Sequence, residues 1–224
     1  MTSNPTDVQI TAVRSAADRL VDRLRHTATD NDYVAKARAG ELTGDDIAAL
    51  VRLENATLDG VTAPIGLAAA RFRNTPAMDF MLDIGRMVSV DRTNIRASAV
   101  AYGTALEEYP GQRLDPVAYG YTGFINWACV HADAEAMALI AYVDITLWHE
   151  ACVILTPVLR KHPGLPHEVV EYFASYEERP DEVLDAALDV IAHGVAQGYE
   201  LQRAVDTARL MGDYLATFWR AAGQ

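Results

Sequence analysis

Apolar residues recur at three- and four-residue spacing from one end of the chain to the other, and strand-like alternation is nearly absent. A helix with one apolar stripe must bury it against another helix, so such a chain folds as a packed bundle, an all-α domain. Residues 7–25 show the pattern, with Val8, Val13, Ala17, Leu20, Val21 and Leu24 on one stripe. A short segment at Tyr33–Ala39 closes at Gly40, and Thr43 reads as an N-cap with Asp45 and Asp46 in the first turn. That helix is expected to reach Leu58, with others over 62–73, 76–87 and 92–109. Tyr109-Pro110-Gly111 marks a boundary, because Pro and Gly punctuate turns. A further helix should run from Asp115 or Pro116 to His131. The next, capped by Asp133, should run to Lys161, with Pro157 loosening a turn. The last helices fall at 165–178, 180–196 and 199–222.

With 224 residues and no repeat, linker or low-complexity segment, the expectation is one domain spanning 1–224. The 31 acids outnumber 19 Lys and Arg, a formal net charge of −12. A surface that negative repels phosphate backbones and anionic lipid, which argues against nucleic-acid and membrane partners. The apolar stretches are interrupted by Asp144, His149 and Glu150, and are expected to fall short of a membrane span. Only Cys129 and Cys152 occur, without a CxxC pair, so neither a disulfide framework nor a structural zinc site is expected. The polar N-terminus Met1-Thr2-Ser3-Asn4-Pro5 lacks the apolar core of a signal peptide, making a cytoplasmic location the expectation.

Three segments together resemble the TenA/PqqC group of heme-oxygenase-like proteins. Tyr33–Thr43, running into Leu50-Val51-Arg52-Leu53-Glu54-Asn55, resembles that group's short Gly-x-Leu turn followed by a helix with an inward acid. Tyr142–Ala151 resembles the helix that carries the TenA cysteine nucleophile, and Gly212–Trp219 resembles its terminal Phe-Trp signature. The resemblance implies a bundle of about seven to eight helices around a central pocket, usually assembled as a homodimer or homotetramer. It also implies thiaminase II chemistry, in which a thiolate attacks a thiamin or aminopyrimidine ring. Three positions depart from that pattern. Asp144 stands where the cysteine would be, Trp148 where a tyrosine would be, and Leu215 where a glutamate would be, while Glu54 keeps the early acid.

Other chemistries on the same scaffold have weaker support. Di-iron relatives pair a Glu with a His seven residues on, but Val61 follows Glu54 at that spacing and residues 173–179 contain no histidine. Glu135, Glu171, Glu178 and His193 are the acids and histidine left for a non-standard site. A heme would need an axial histidine on the first helix, where His26 is the only candidate, beside Arg25. The expected site therefore has no metal or other cofactor.

The candidate catalytic residues are Asp144 and Glu54. Asp144 has Ile140, Ala141, Leu147 and Trp148 around it on an apolar face, where a carboxylate is costly unless paired and is pushed toward its neutral form. A structural hydrogen bond would explain it equally well, and an ion pair of Glu54 with Arg52 or Arg71 would explain that acid. Trp148, Tyr121, Tyr142, Tyr214 and Trp127 supply aromatic surface for a flat ligand, or plain core. His149 is offset by about 100° from Trp148 and is a candidate base or a packed interface histidine. The expected function is acid/base chemistry on a planar or heterocyclic small molecule. The rivals are a non-catalytic binding or accessory protein and an iron oxidase with a non-standard ligand set.

Overall fold

A computed structural model describes residues 5–103 and 116–223. Its elements are helical: α1 (Asp7–Thr29), α2 (Asp32–Ala39), α3 (Gly44–Arg71), α4 (Pro76–Ala101), a 3-10 turn (Pro116–Ala118), α5 (Tyr119–His131), α6 (Ala134–Leu159), α7 (His167–Ala174), α8 (Asp181–Ala196), α9 (Leu201–Ala208) and α10 (Met211–Ala222). The helix starts follow local chemistry. Thr6 with Gln9 and Thr43 with Asp46 form reciprocal capping boxes that satisfy otherwise orphaned amides. Asn31 caps α2, and Gly40 ends it at φ 71°, a left-handed conformation that favours glycine.

The expected count of seven to eight helices is corrected to ten α-helices among the described residues. Two expected breaks do not occur. Helix α3 runs unbroken through Gly60 and Pro64, and α4 joins the expected 76–87 and 92–109 segments as far as Ala101. A proline inside a helix costs about 3 kcal/mol in isolation. Here Leu58, Val61 and Ile65 bury around that point, and α3 packs along α4 more extensively than any other helix pair. Burial outweighs local propensity. The expected 199–222 helix instead splits at Arg209 and Leu210 into α9 and α10. The Tyr109-Pro110-Gly111 boundary lies outside the described residues. Asp133 does precede α6, but its carboxylate holds Arg203 and Tyr199 rather than capping the helix.

Helix α6 is the central post, packed by α1, α2, α7, α8 and α9. Among the described residues it is the one helix long and apolar enough to cross a membrane, which corrects the expectation that no stretch reaches that length. Its apolar surface is used inside the bundle, where Leu139, Ile140, Tyr142, Val143, Leu147, Leu155 and Leu159 are buried. A soluble core helix has the same composition. Against this post stand the α3–α4 pair, α5 and α10, and the space among these helices forms the site. Gly120 lets α5 approach α10, since a Cβ there would lie 2.9 Å from Thr217 Oγ1. Arg71 ties α3 to the end of α5 through the carbonyls of Cys129 (2.5 Å) and Ala132 (3.1 Å). It is therefore not available to Glu54.

Candidate functional site

A cavity of about 290 Å³ is enclosed by α3, α4, α5, α6, α10 and the segment 175–180. Its walls are largely aliphatic and aromatic, including Val61, Ile84, Val88, Ile140, Trp148 and Phe218. Exposed Val90, Asn94, Ser175 and Glu178 mark its mouth, between α4 and the α7–α8 connection. Four carboxylic acids line it: Glu54 on α3, Asp91 on α4, Asp144 on α6, and Glu178. No Lys, Arg or His is among the described lining residues. The arginines next to Asp91 turn elsewhere, Arg92 and Arg96 both reaching Asp59.

Each deep acid is held by a tyrosine. The Tyr121 hydroxyl donates to Asp144 Oδ1 at 2.6 Å, and the Tyr172 hydroxyl donates to Glu54 Oε1 at 2.7 Å. Glu54 is buried among α3, α6 and α7, and burial raises its carboxyl to about 8. The Tyr172 bond opposes that rise, and the charges of Asp144 and Asp91 add to it. Asp144 is only half-buried, because its carboxylate faces the cavity, yet desolvation still lifts it to about 6 against the Tyr121 bond. Asp91 is likewise raised to about 6 by burial, opposed by the neighbouring Tyr176 hydroxyl. Tyr121 and Tyr172 are pushed well above the usual phenol value, by burial first and by the adjacent carboxylates next. They stay protonated and act as donors.

Of the sequence candidates, Asp144, Glu54, Trp148 and Tyr121 meet at this cavity. Four others lie elsewhere. Tyr142 is two residues from Asp144, about 200° around the helix, and bonds Asp18 of α1 at 2.7 Å. Trp127 is 45% exposed on the outer face of α5, and Tyr214 stacks on Phe124 at 4.7 Å. His149 Nδ1 lies 2.7 Å from the Tyr176 carbonyl oxygen, so it anchors a segment that lines the cavity without lining it itself. Trp148 is embedded in an aromatic cluster, stacked on Trp219 at 5.8 Å and edge-on to Tyr176 and Phe218. Its Nε1 is buried without a hydrogen-bond partner.

Asp91, Tyr172 and Tyr176 were not among the sequence candidates, and Glu178 was named only for a non-standard metal site. Asp91 carries the signal that singled out Asp144, an acid on an apolar stripe, here Ile84, Val88 and Ile95. Placing a helix break between residues 87 and 92 hid it. Tyr172 and Tyr176 lie on and just beyond an eight-residue helix, too short to show a clear stripe.

Neither cysteine is among the residues that line the cavity. Cys152 is fully buried, and desolvation together with the nearby Glu54 charge pushes its thiol well up, the reverse of what a thiolate needs. Cys129 is also buried and is raised to about 11. Leu215 lines the cavity where the resemblance implies a glutamate. Among the described residues no group of three or more His, Cys, Asp or Glu is arranged to hold a metal ion. A heme does not fit these residues either: His26 is exposed at the end of α1 with its Nδ1 on the Arg23 carbonyl, and an acid-lined cavity repels anionic propionates.

No family model matches the chain, and no curated protein matches it by sequence. Solved structures do match. A TenA homologue from Pseudomonas syringae aligns over 99% of both chains at TM-score 0.76 and 12% identity. One from Pyrococcus furiosus covers 92% of this chain and 99% of its own at TM-score 0.74 and 11% identity. A domain of unknown function from Shewanella denitrificans, described as having a heme oxygenase-like fold, covers 95% of this chain and 89% of its own at TM-score 0.72 and 11% identity. This chain has the heme-oxygenase-like fold. Identities this low establish the fold alone, so chemistry on this heme-oxygenase-like bundle has to be argued from its own cavity.

Proposed function

We propose that this heme-oxygenase-like protein is a TenA-like enzyme, diverged in its chemistry, that carries out acid/base catalysis on a flat, uncharged or basic small molecule in the central cavity. The observation that carries this reading is the pair of carboxylate–tyrosine units, Glu54–Tyr172 and Asp144–Tyr121, set on different helices around one apolar space. Unequal burial separates the two acids. With an uncharged ligand at neutral pH, Glu54 keeps its proton and serves as the acid, while Asp144 is largely ionised and serves as the base. The aliphatic walls and the Trp148–Phe218 edge suit a planar ring, and the acids orient its N–H groups. Because Asp144 replaces the nucleophilic cysteine, this chemistry needs no covalent enzyme intermediate.

The test is a thermal-shift screen of flat amines, alcohols and carboxylic acids against wild type and Asp144→Asn, followed by turnover assays on the ligands that bind. A ligand specific for the folded state raises the melting temperature. Expected are hits among neutral and basic rings, with turnover lost in Asp144→Asn. Binding with no conversion of any ligand would instead favour a binding protein, a reading that the replacement of the cysteine also supports.

A further inference from the structure

Glu54 does not stop at Tyr172. The Tyr176 hydroxyl lies 3.5 Å from the Tyr172 hydroxyl and close enough to the Asp91 carboxylate to act on it electrostatically, and Asp91 lines the cavity toward its mouth. A chain of four side chains therefore joins the most buried acid of the pocket to its outer part. Among the described residues no Lys, Arg or His acts on Glu54 or lines the cavity. Asp144 faces it from α6, Asp91 from α4, and the neutral groups Tyr121, Tyr172, Tyr176 and Cys152 complete its titratable neighbours.

An acid in that setting is most stable carrying a proton. A cation brought into the cavity reverses the preference, because it supplies the counter-charge that the protein omits. Resting on the acid/base pocket described above, we propose that a protonated organic amine binding in this cavity displaces the proton held by Glu54, which leaves through Tyr172, Tyr176 and Asp91. The movement balances as four proton transfers. The Glu54 proton passes to the Tyr172 oxygen as the Tyr172 proton passes to Tyr176. The Tyr176 proton passes to the Asp91 carboxylate, which then gives it to water at the mouth. Both phenols end neutral and Glu54 ends ionised against the ammonium. These transfers run along the Tyr172–Glu54 contact at 2.7 Å and the Tyr176–Tyr172 contact at 3.5 Å. Tyrosine suits the middle positions because a hydroxyl both donates and accepts and can rotate between the two states.

The experiment uses the full chain and benzylamine, with benzyl alcohol and benzoate as the neutral and anionic counterparts. Calorimetric titration at pH 7 in phosphate and in Tris, buffers of different ionisation heat, counts the protons exchanged. Expected is release of about one proton per benzylamine bound, with none in Glu54→Gln. Benzylamine should also bind at least about tenfold tighter than benzyl alcohol. Stopped-flow mixing with a pH indicator should show release at least about tenfold slower in Tyr176→Phe, with the proton count unchanged. The wild-type count stands without any variant, and Asp91→Asn repeats the kinetic test should Glu54→Gln not fold. Benzylamine binding without proton release, or preference for benzoate, overturns the proposal while leaving the pocket itself intact. An unchanged release rate in both Tyr176→Phe and Asp91→Asn overturns the route. Failure of all three probes to bind overturns the pocket reading along with it.

Discussion

Replacing Asp144 by asparagine isolates the cost of holding a base inside this bundle. Burial raises the Asp144 carboxyl from 3.8 to about 6. At about 1.4 kcal/mol per tenfold change in proton affinity, the ionised form costs the folded state roughly 3 kcal/mol. The sign follows from which state binds the proton more tightly. Between pH 3.8 and about 6 the folded protein holds a proton that the unfolded chain has released, so stability falls as pH rises through that window. Below the window the penalty is absent, and above it the penalty is complete. Asparagine has no charge to desolvate, and its Oδ1 can still accept the Tyr121 hydroxyl, so most of the penalty should disappear. Asp144→Asn is therefore expected to stabilise the fold by about 1–3 kcal/mol at pH 8, a rise of roughly 2–12 °C in melting temperature for a chain of this length. The gain should shrink toward zero near pH 4, while turnover is lost, as expected where stability has been given up for activity. Melting curves of both proteins from pH 4 to 8 check this. A lower melting temperature for Asp144→Asn at pH 8, or a difference that does not change with pH, would refute the argument and make Asp144 a structural residue.

Trp148→Ala should not behave as a clean ligand-binding variant, because its ring packs against Trp219, Phe173 and Phe218. It is expected to cost about 3–5 kcal/mol, whereas Trp148→Phe should fold and isolate the effect on binding; a Trp148→Ala melting temperature equal to wild type would contradict this. Thiamin hydrolysis is expected at background, and Cys152→Ala and Cys129→Ala should leave any activity unchanged. Robust thiamin turnover that disappears in either variant, measured by product chromatography, would show a cysteine mechanism that the buried thiols argue against.

The all-helical class was legible without coordinates because helical periodicity is a local property. Thr6, Asn31, Thr43 and Gly40 start or stop their helices through hydrogen bonds spanning three or four residues. Asp144 was legible for the same reason, since an acid among Ile140, Ala141, Leu147 and Trp148 is conspicuous within one helix. Asp91 carried an equal signal and was lost to a helix break misplaced between residues 87 and 92. The continuity of α3 through Gly60 and Pro64 depends on its burial against α4, a contact that the local sequence does not contain.

Local pattern along the chain sets the amphipathic helices and places two acids on apolar faces. Tertiary packing settled which side chains share a cavity. It separated Tyr121 from Tyr142, two aromatics of equal standing in the sequence, because one faces Asp144 across the α5–α6 gap and the other turns to Asp18 on α1. It also gave Glu54 a tyrosine from 118 positions away. It left four acids around one space with no cation lining it among the described residues, the setting on which the amine-binding proposal rests. Periodicity reports which face of a helix is buried. What that face meets depends on helix crossings between residues far apart in the chain, and there the partners and proton affinities of Glu54, Asp91 and Asp144 were set.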